Sequence, residues 1–423
     1  MNAPLLDGLT VLDFTRVLAG PYCTRLLADL GARVIKIERP GEGDEMRRGF
    51  LQLDPARGDQ STYFIRINAG KQSVAVDLAH PEAKPLVFDL LRRVDVVVEN
   101  FVPGVMAKLG LDYATVAAIR PGVVYCSISG YGQTGPLSNA PAFAHLISAM
   151  SGLMHLEQGD EPAPRAPYLQ AADVLAGTHA FGAILAALLR HGRTGEGARL
   201  DVSMLEALVA AEDISYGGVL NGGAEYPGPR PGMIVHRIGD RYVAVQTVGA
   251  PQLWARITGA MGRPELVADE RFATPAARRE RWGEIRTMVT AWLDTFPTVE
   301  AAIETLRAAR VPCAPVLAPA EVAAHPHMTV RHAFPAVPHP TRGEVRITAT
   351  PVHVDDHPVT PAGGAPYRSG EHTRVVLRDV LGYADDRIAE LQRSGVIEIP
   401  TQLPSAAPAP WPPRGPCPGA GRG

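Results

Sequence analysis

Residues 8–38 read GLTVLDFTRVLAGPYCTRLLADLGARVIKIE, two apolar runs separated by a short amphipathic stretch. The runs GLTVLDF (8–14) and ARVIKIE (32–38) are rich in Val, Ile and Leu, a pattern typical of buried strands. Gly20 and Pro21 open the stretch between them, and proline is well tolerated in the first turn of a helix. Two buried strands joined by a helix predict a right-handed, parallel βαβ unit.

Further apolar, β-branched runs follow along the first 200 residues. They are SVAVDL (73–78), DVVVEN (95–100) and VVYCSIS (123–129), with helical stretches such as EAKPLVFDLLRRV (82–94) between them. Strands that alternate with helices in this way form parallel sheets. The predicted fold class is therefore α/β, with a Rossmann-like large domain around a parallel sheet.

The composition changes at NGGAEYPGPRPG (221–232), a glycine- and proline-rich turn or linker. We therefore assign residues 1–220 to the large domain and 221–334 to a smaller α+β domain. The region 330–370 is rich in Pro, His and Thr and is expected to be a long connection. Residues 401–423 are dominated by Pro and Gly, which predicts a disordered tail.

The composition narrows the class of protein. The 423 residues are 46% hydrophobic and carry a net charge of −3, which argues against a general nucleic-acid binder. The four cysteines form no C-x-x-C pair, and the N-terminus has no signal-peptide pattern. The apolar run after Asp173 is interrupted and shorter than the ~20 residues of a membrane span. We expect a cytoplasmic protein that interacts with neither nucleic acid nor membrane.

The turn after the first strand, DFTRVLAGPYC, lacks the G-x-G-x-x-G pattern that binds dinucleotide phosphates, so no nicotinamide or flavin cofactor is expected. Basic residues nevertheless crowd this part of the chain. Arg39 ends the second strand, where the ligand cleft of an open α/β sheet forms. An anionic ligand with several phosphates would suit that position.

Histidines 325, 327, 332 and 339 cluster in the segment AHPHMTVRHAFPAVPHP. Zinc sites use histidine at regular spacing with Cys or carboxylate ligands, and neither is present between Glu321 and Glu344, so no metal site is predicted. His145 and His179 lie in apolar helical stretches and are expected to be core histidines with hydrogen-bond partners.

Asp173 is a lone acid, followed by sixteen residues without a formal charge before Arg190. It could cap the helix that follows, for about 1 kcal/mol, or perform chemistry there, or do both. Small residues recur along this helix at Ala176, Ala180, Ala183 and Ala187, and with Gly177 they would allow close backbone approach. The positive helix end would keep the carboxylate ionised and attract anions.

Several strings in a fixed order carry a family resemblance. They are LDGLTVLDFTRVLAGPYCTRLLADLGARVIKIERPGEGDEMR, NAGKQSVAVDL, DVVVENFVPGVMAKLGL, SISGYGQTGP, RTGEG, VSMLEAL and GEHTRVVLRDVLGY. From about Leu6 to Ile399 the sequence strongly resembles the family III CoA-transferases, which include formyl-CoA transferase, carnitine CoA-transferase and α-methylacyl-CoA racemase. The resemblance implies an interlocked, ring-like homodimer in which residues 335–400 return to the large domain.

The resemblance also implies site residues. The family's nucleophile is an aspartate at the start of the helix before the R-x-TG-x-G turn, which here is Asp173. Contacts to coenzyme A carry over to Val17, Ala19, Arg39, Val76, Asp77, Asn100, Phe101 and Lys108. Gly222 and Gly223 are candidate oxyanion donors.

The implied reaction moves CoA from an acyl-CoA to a small free carboxylic acid, with no tightly bound cofactor. An aspartate with an ordinary pKa of about 3.9 is ionised at pH 7 and needs no general base. It would form first a mixed anhydride and then an aspartyl-CoA thioester. Succinyl-CoA is a reasonable donor, whereas oxalate is doubtful as acceptor, since Leu18 replaces the glutamine of the oxalate enzymes.

Two alternatives stay open. The first is 2-methylacyl-CoA epimerisation, for which the family uses a histidine–aspartate pair. Phe143 and Ala144 occupy those positions here, and His145 is displaced by two residues, so it would face another direction on a helix. The second alternative is a non-catalytic acyl-CoA-binding homologue.

Overall fold

The computed structural model describes residues 4–49, 51–54, 56–159, 161–212, 215–225, 232–247 and 252–401. Two 3-10 helices, Glu45–Arg48 and Pro264–Val267, lie among its helices and strands.

The strands, in chain order, are β1 (Thr10–Asp13), β2 (Arg33–Glu38), β3 (Gln72–Val76), β4 (Val96–Glu99), β5 (Val124–Ser129), β6 (Ala198–Ser203), β7 (Met233–Ile238), β8 (Arg241–Gln246), β9 (Cys313–Pro315), β10 (Ala336–His339), β11 (Gly343–Arg346), β12 (His353–Val354), β13 (His357–Pro358) and β14 (Ile397–Glu398).

The helices are α1 (Ala19–Asp29), α2 (Thr62–Asn68), α3 (Ala83–Leu91), α4 (Val105–Leu109), α5 (Tyr113–Ile119), α6 (Ala144–Met150), α7 (Leu153–Gln158), α8 (Ala171–Thr194), α9 (Met204–Val209), α10 (Ser215–Val219), α11 (Leu253–Ala260), α12 (Pro275–Glu280), α13 (Trp282–Leu293), α14 (Val299–Ala308), α15 (Pro319–Ala324), α16 (Pro326–Val330), α17 (Thr373–Asp379) and α18 (Asp385–Arg393).

One seven-stranded sheet organises the first part of the chain, in the order β14-β3-β2-β1-β4-β5-β6. All neighbouring pairs are parallel except β14, which pairs antiparallel with β3. The prediction of an α/β fold with a mostly parallel sheet is confirmed. Because parallel strands end at the same edge, the turns that follow β1 to β4 gather there.

The core of this sheet is built from the β-branched runs seen in the sequence. Leu12, Ile35, Val74 and Val97 lie on neighbouring strands and are fully or almost fully buried, and Leu90 of α3 packs in the same cluster. Each such side chain contributes about 1.5–3 kcal/mol when it is removed from water. A strand buried on both faces reads as a continuous apolar run, which explains the pattern in the sequence.

The described chain divides into two compact units. The first comprises the described parts of 1–151, 167–211 and 326–423, and the second those of 152–166 and 212–325. The second unit is built on the antiparallel sheet β7-β8-β9. Its core holds Trp254 and Ile257 of α11, Val289 of α13 and Leu306 of α14. Gly222 and Gly223 belong to this unit.

The segment 330–370, expected to be a plain connection, contains two short antiparallel hairpins, β10–β11 and β12–β13. Val337 and Val345 of the first hairpin are buried against Leu53 and Ile65 of the first unit. The hairpins are hard to predict from the sequence, because the strands are short and prolines interrupt their alternating pattern. Of the predicted tail, residues 402–423 lie outside the described residues.

Helix α8 is longer than the interrupted apolar run suggested. Its 24 residues make it, within the described chain, the one helix that is long and apolar enough to cross a membrane by length and composition alone. It packs against α1, α9, β5 and β6, which is how the core helix of an α/β layer packs. Its small residues Ala172, Ala176, Gly177 and Ala180 are buried in these contacts.

Candidate active site

The turn between β1 and α1 is held by side chains from three other parts of the first unit. Asp13 accepts from the backbone N–H of Thr15 at 2.9 Å, and Lys36 donates to the Thr15 carbonyl at 2.6 Å. The Asn100 side chain accepts from the N–H of Arg16 and donates to its carbonyl, both at 2.8 Å. Asp44 accepts from the N–H of Val17 at a longer 3.4 Å. The turn therefore has its shape imposed by its surroundings.

Val17 lies in the left-handed region of backbone space, with φ of 68°. A β-branched residue in this region is strained, by about 1–3 kcal/mol, and persists only where neighbouring contacts impose the conformation. Such strain is common at functional sites. The strained turn leads directly into the first residue of α1, Ala19.

Helix α8 meets α1 at very short range. A Cβ atom built on Gly177 would stand 2.5 Å from the carbonyl oxygen of Ala19 and 3.3 Å from the backbone nitrogen of Cys23. Only glycine fits this approach without a backbone shift. The prediction that small residues bring another backbone close to Asp173 is confirmed at Gly177.

Asp173 stands in the first turn of α8 but does not cap it. The helix begins at Ala171 with Gln170 as its N-cap residue, and no side chain makes the capping bond. The backbone N–H groups of Ala19 and of Asp173 itself instead lie close enough to the carboxylate to lower its pKa. The capping interpretation is therefore wrong, because the helix starts three residues earlier than a cap at Asp173 requires.

Burial raises the pKa of Asp173 from 3.8 to about 6, and the two N–H groups oppose this rise only in part. The ordinary pKa of about 3.9 assumed from the sequence is therefore too low, because removing a carboxylate from water disfavours its charged form. At pH 7 about nine molecules in ten still carry the charged carboxylate. The group is thus ionised and poorly solvated, which increases its reactivity as a nucleophile.

Tyr63 of α2 faces the same place and was not found from the sequence. Its hydroxyl donates to Oε1 of Gln170 at 2.9 Å. Burial, and then the charge of Asp173, raise the pKa of the phenol to about 12, so it is a neutral donor at pH 7. No sequence pattern distinguishes this tyrosine, because α2 reaches Asp173 only through packing between distant segments.

The predicted CoA contacts lie along one edge of the sheet. Val17 and Ala19 follow β1, Arg39 follows β2, Val76 and Asp77 end β3, and Asn100 and Phe101 follow β4, with Lys108 in α4. The Arg16 guanidinium lies 5.2 Å above the Phe101 ring. Arg39 and Lys108 are both exposed, and Arg39 pairs with Glu42 at 3.1 Å.

The histidines are placed differently from the expectation. His145 and His179 are exposed, so the prediction that they are core residues is wrong. Each lies on the outward face of a helix whose buried face is formed by small and apolar residues. His339 is buried, with Nε2 3.2 Å from Oε1 of Gln60. Among the described residues, no group of three or more His, Cys, Asp or Glu side chains could hold a metal ion.

Fold and site together define an α/β protein in which a poorly solvated carboxylate at a helix start meets the first βα turn. The model of CoA-transferase family III matches residues 6–373. The chain belongs to this family, and it is a CoA-transferase by class. The resemblance deduced from the ordered motifs is confirmed.

Similar proteins share nearly the whole chain. The succinyl-CoA:glutarate CoA-transferase of Mus musculus is 35% identical over 93% of this chain and 90% of its own length. The formyl-CoA:oxalate CoA-transferase of Streptomyces coelicolor is 34% identical over 94% of this chain and 100% of its own. A CAIB/BAIF family protein from Brucella suis has a TM-score of 0.76 at 29% identity, covering 90% of this chain and 100% of that one.

Proposed function

We propose that the protein transfers CoA from an acyl-CoA to a free carboxylic acid, with Asp173 as the covalent nucleophile. The observation that carries the proposal is the state of Asp173, which is ionised at pH 7, half-buried and close to the Ala19 N–H. A carboxylate in this state attacks a thioester carbonyl without a general base.

The steps balance as a double exchange. An Asp173 oxygen attacks the acyl carbon, the C–S bond breaks, and CoA thiolate leaves a mixed anhydride. The thiolate then attacks the aspartyl carbon and releases the first acid, which leaves an aspartyl-CoA thioester. The acceptor carboxylate displaces the thiolate to form a second anhydride, and the thiolate attacks its acceptor carbon. The product acyl-CoA departs and the carboxylate of Asp173 is regenerated.

The Ala19 N–H has a defined part in this chemistry. It faces the Asp173 carboxylate before reaction and is proposed to help orient it for attack. Tyr63 lies beside the same group as a neutral hydroxyl, so it adds no opposing charge. The CoA donor is proposed to bind at the sheet edge as a substrate rather than a resident cofactor. The residues proposed to contact it are Val17, Ala19, Arg39, Val76, Asp77, Asn100, Phe101 and Lys108.

For the substrates we propose succinyl-CoA as donor and a dicarboxylic acid as acceptor. Two observations support this. The Mus musculus relative that is 35% identical is a succinyl-CoA:glutarate CoA-transferase. Leu18 stands at the position where the oxalate enzymes carry glutamine. Leu18 is almost fully buried, and its apolar side chain offers no hydrogen bond to a small, highly charged acid.

The decisive experiment incubates the enzyme with succinyl-CoA, quenches it, and searches for hydroxylamine-trappable label by mass spectrometry. Label at Asp173 that is lost in Asp173→Asn supports the proposal. Asp385→Asn is the matched control and should keep the label, because Asp385 is also an acid in the first turn of a helix, α18. Solvent deuterium at the α-carbon of a 2-methylacyl-CoA without CoA exchange would instead indicate an epimerase. Tight binding of acyl-CoA with neither outcome would indicate a binding protein.

We propose further that the protein is a homodimer. Large apolar side chains of the first unit are exposed in the single chain: Phe143, just before α6, is 69% exposed, Leu146 and Met150 of α6 are 50% and 55% exposed, and Leu189 of α8 is 62% exposed. A patch of this kind marks an interaction surface, and a second copy is the occupant that family membership suggests. Light scattering should give twice the chain mass, and Leu146→Asp should lower it.

A cytoplasmic location is the remaining proposal. Cys23 and Cys126 are buried, unbridged thiols, which is usual in a reducing compartment. Fractionation of the source cells tests it, and recovery of the protein from a secreted or membrane fraction would contradict it.

A further inference from the structure

A buried ion pair lies directly beneath the turn that reaches Asp173. The ammonium of Lys36, on β2, lies 3.0 Å from Oδ2 of Asp44, and both side chains are 1% exposed. Burial lowers the pKa of Lys36, but the negative charges of Asp44, Asp13 and Glu38 raise it by a larger amount. The pKa is therefore above its ordinary value, and the ammonium is charged. A buried pair seldom adds net stability, because desolvation offsets the attraction, so its presence calls for another reason.

The pair holds the turn from both sides. Lys36 donates to the carbonyl of Thr15, and Asp44 accepts from the N–H of Val17. These two groups flank Arg16 and lie immediately before the strained φ angle of Val17. The same Asp44 also accepts from the N–H of Met46 at 3.0 Å, which fixes the carboxylate itself.

The turn leads within two residues to the N–H that contacts Asp173. Gly20 allows this path, because a Cβ atom there would stand 2.3 Å from a methyl carbon of Thr15. Thr15, held by Asp13 and Lys36, thus lies against the start of α1. Any relaxation of the turn would move Ala19 relative to the Asp173 carboxylate.

We propose that Lys36 and Asp44 are positioning residues, whose buried ion pair holds the strained turn so that the N–H of Ala19 points at the Asp173 carboxylate. Neither residue is proposed to touch substrate. The inference rests on the proposed function only where it treats Asp173 as the nucleophile.

The groups that face Asp173 limit what can change its titration. Tyr63 faces it from α2, the Ala19 N–H from α1, and its own N–H from α8. Tyr63 is neutral at pH 7, and Tyr22 and Cys23 of α1 lie against Gly177, one turn further along. Movement of the Ala19 N–H away from Asp173 is therefore expected to raise the pKa of Asp173 above about 6, because burial would be less opposed.

The test uses the substrate-free, full-length enzyme in two variants. Lys36→Met/Asp44→Leu replaces the pair by apolar side chains of similar size. Lys36→Met/Asp44→Asn keeps a side-chain oxygen that can accept from the Met46 N–H. This second variant tests the positioning role if the first variant does not fold. The matched control is Arg25→Met/Asp29→Asn, which removes another buried ion pair of the same unit. In that pair Arg25 also donates to the carbonyl of Arg66, and neither residue bonds to the turn.

Two readouts respond to positioning and not to general destabilisation. The pKa of Asp173 is measured by carbon-13 NMR of labelled aspartate, with Asp173→Asn to identify the signal. Hydrogen exchange is followed in the peptide that covers residues 14–22. We expect a pKa increase of at least about half a unit and exchange about tenfold faster in the pair variants, and neither change in the control.

Folded pair variants with unchanged Asp173 titration and unchanged exchange would overturn the inference. An equal change in the control would overturn it too, because the effect would then be general destabilisation. Both readouts are taken without substrate, so they decide the positioning role even if the labelling experiment shows that Asp173 is not the nucleophile.

Discussion

Gly177 of α8 and Ala19 of α1 approach so closely that a Cβ atom on Gly177 would lie 2.5 Å from the Ala19 carbonyl oxygen. This approach brings the start of α1, and with it the Ala19 N–H, to the carboxylate of Asp173, one helical turn before Gly177. The close helix contact and the polar contact at the candidate nucleophile therefore have one structural origin.

Gly177→Ala is expected to destabilise the protein by about 1–3 kcal/mol, because the backbone of α1 must move away. The transfer rate should fall by about 10- to 100-fold as Ala19 moves with it. Denaturant unfolding and CoA exchange measure the two effects. Gly182→Ala, on the same helix with open space at its Cβ position, is the control and should gain about 0.5–1 kcal/mol. Equal behaviour of the two variants would contradict the role of Gly177.

Asp173→Asn should remove transfer activity by at least about a thousandfold, since an amide oxygen is a poor nucleophile. It should also stabilise the fold at pH 7, because a poorly solvated charge is removed. The expected gain is about 1–2 kcal/mol, a value reduced because the Asp173 side chain is only half-buried. Urea unfolding at pH 7 checks the second effect. A loss of stability on this substitution would mean that the carboxylate is a structural group.

The transfer rate should depend on pH through the Asp173 carboxylate. Its folded pKa of about 6 means that the rate falls tenfold per pH unit well below that value and is level above it. The stability changes in the opposite sense. Between 3.8 and about 6 the native state binds more protons than the unfolded state, so this group favours folding increasingly as the pH falls. Asp173→Asn should lack this component of the stability profile, which a series of urea titrations would show.

Arg47→Met should cost about 3–5 kcal/mol, because it leaves a buried carboxylate unpaired. The Arg47 guanidinium contacts Glu38 with two hydrogen bonds of 2.7 and 2.6 Å, and it donates to the Pro366 carbonyl at 3.0 Å. Burial would raise the pKa of Glu38, but Arg47 lowers it to about 2. The stability from this carboxylate is therefore present above pH 4.5 and lost as the pH falls towards 2.

Acid unfolding monitored by circular dichroism tests this prediction. The unmodified enzyme should lose stability between those pH values, and Arg47→Met should show a smaller dependence there because its Glu38 pKa is no longer lowered. Arg92→Met removes the exposed pair of Arg92 and Asp89 and should change stability by less than about 1 kcal/mol. A similar loss in both variants would rule out a special role for the buried pair.

The sequence by itself determined the parallel sheet, since buried strands such as 32–38 read as continuous apolar runs and are separated by helical stretches. It also singled out Asp173, because a lone acid before sixteen uncharged residues is visible without any structure. Gly177 was identified for the same local reason, as a glycine that costs stability in a helix and so needs a compensating contact.

The tertiary structure alone decided how Asp173 is surrounded. The rise of its pKa comes from burial beneath segments distant in sequence, and its partners Ala19 and Tyr63 are separated from it by more than a hundred positions. Lys36 and Asp44 lie under the turn because β1 and β2 are neighbours in register, with Asp13 opposite Lys36. Local patterns encode which face of an element is apolar, whereas solvation and hydrogen-bond geometry arise only when the elements have packed.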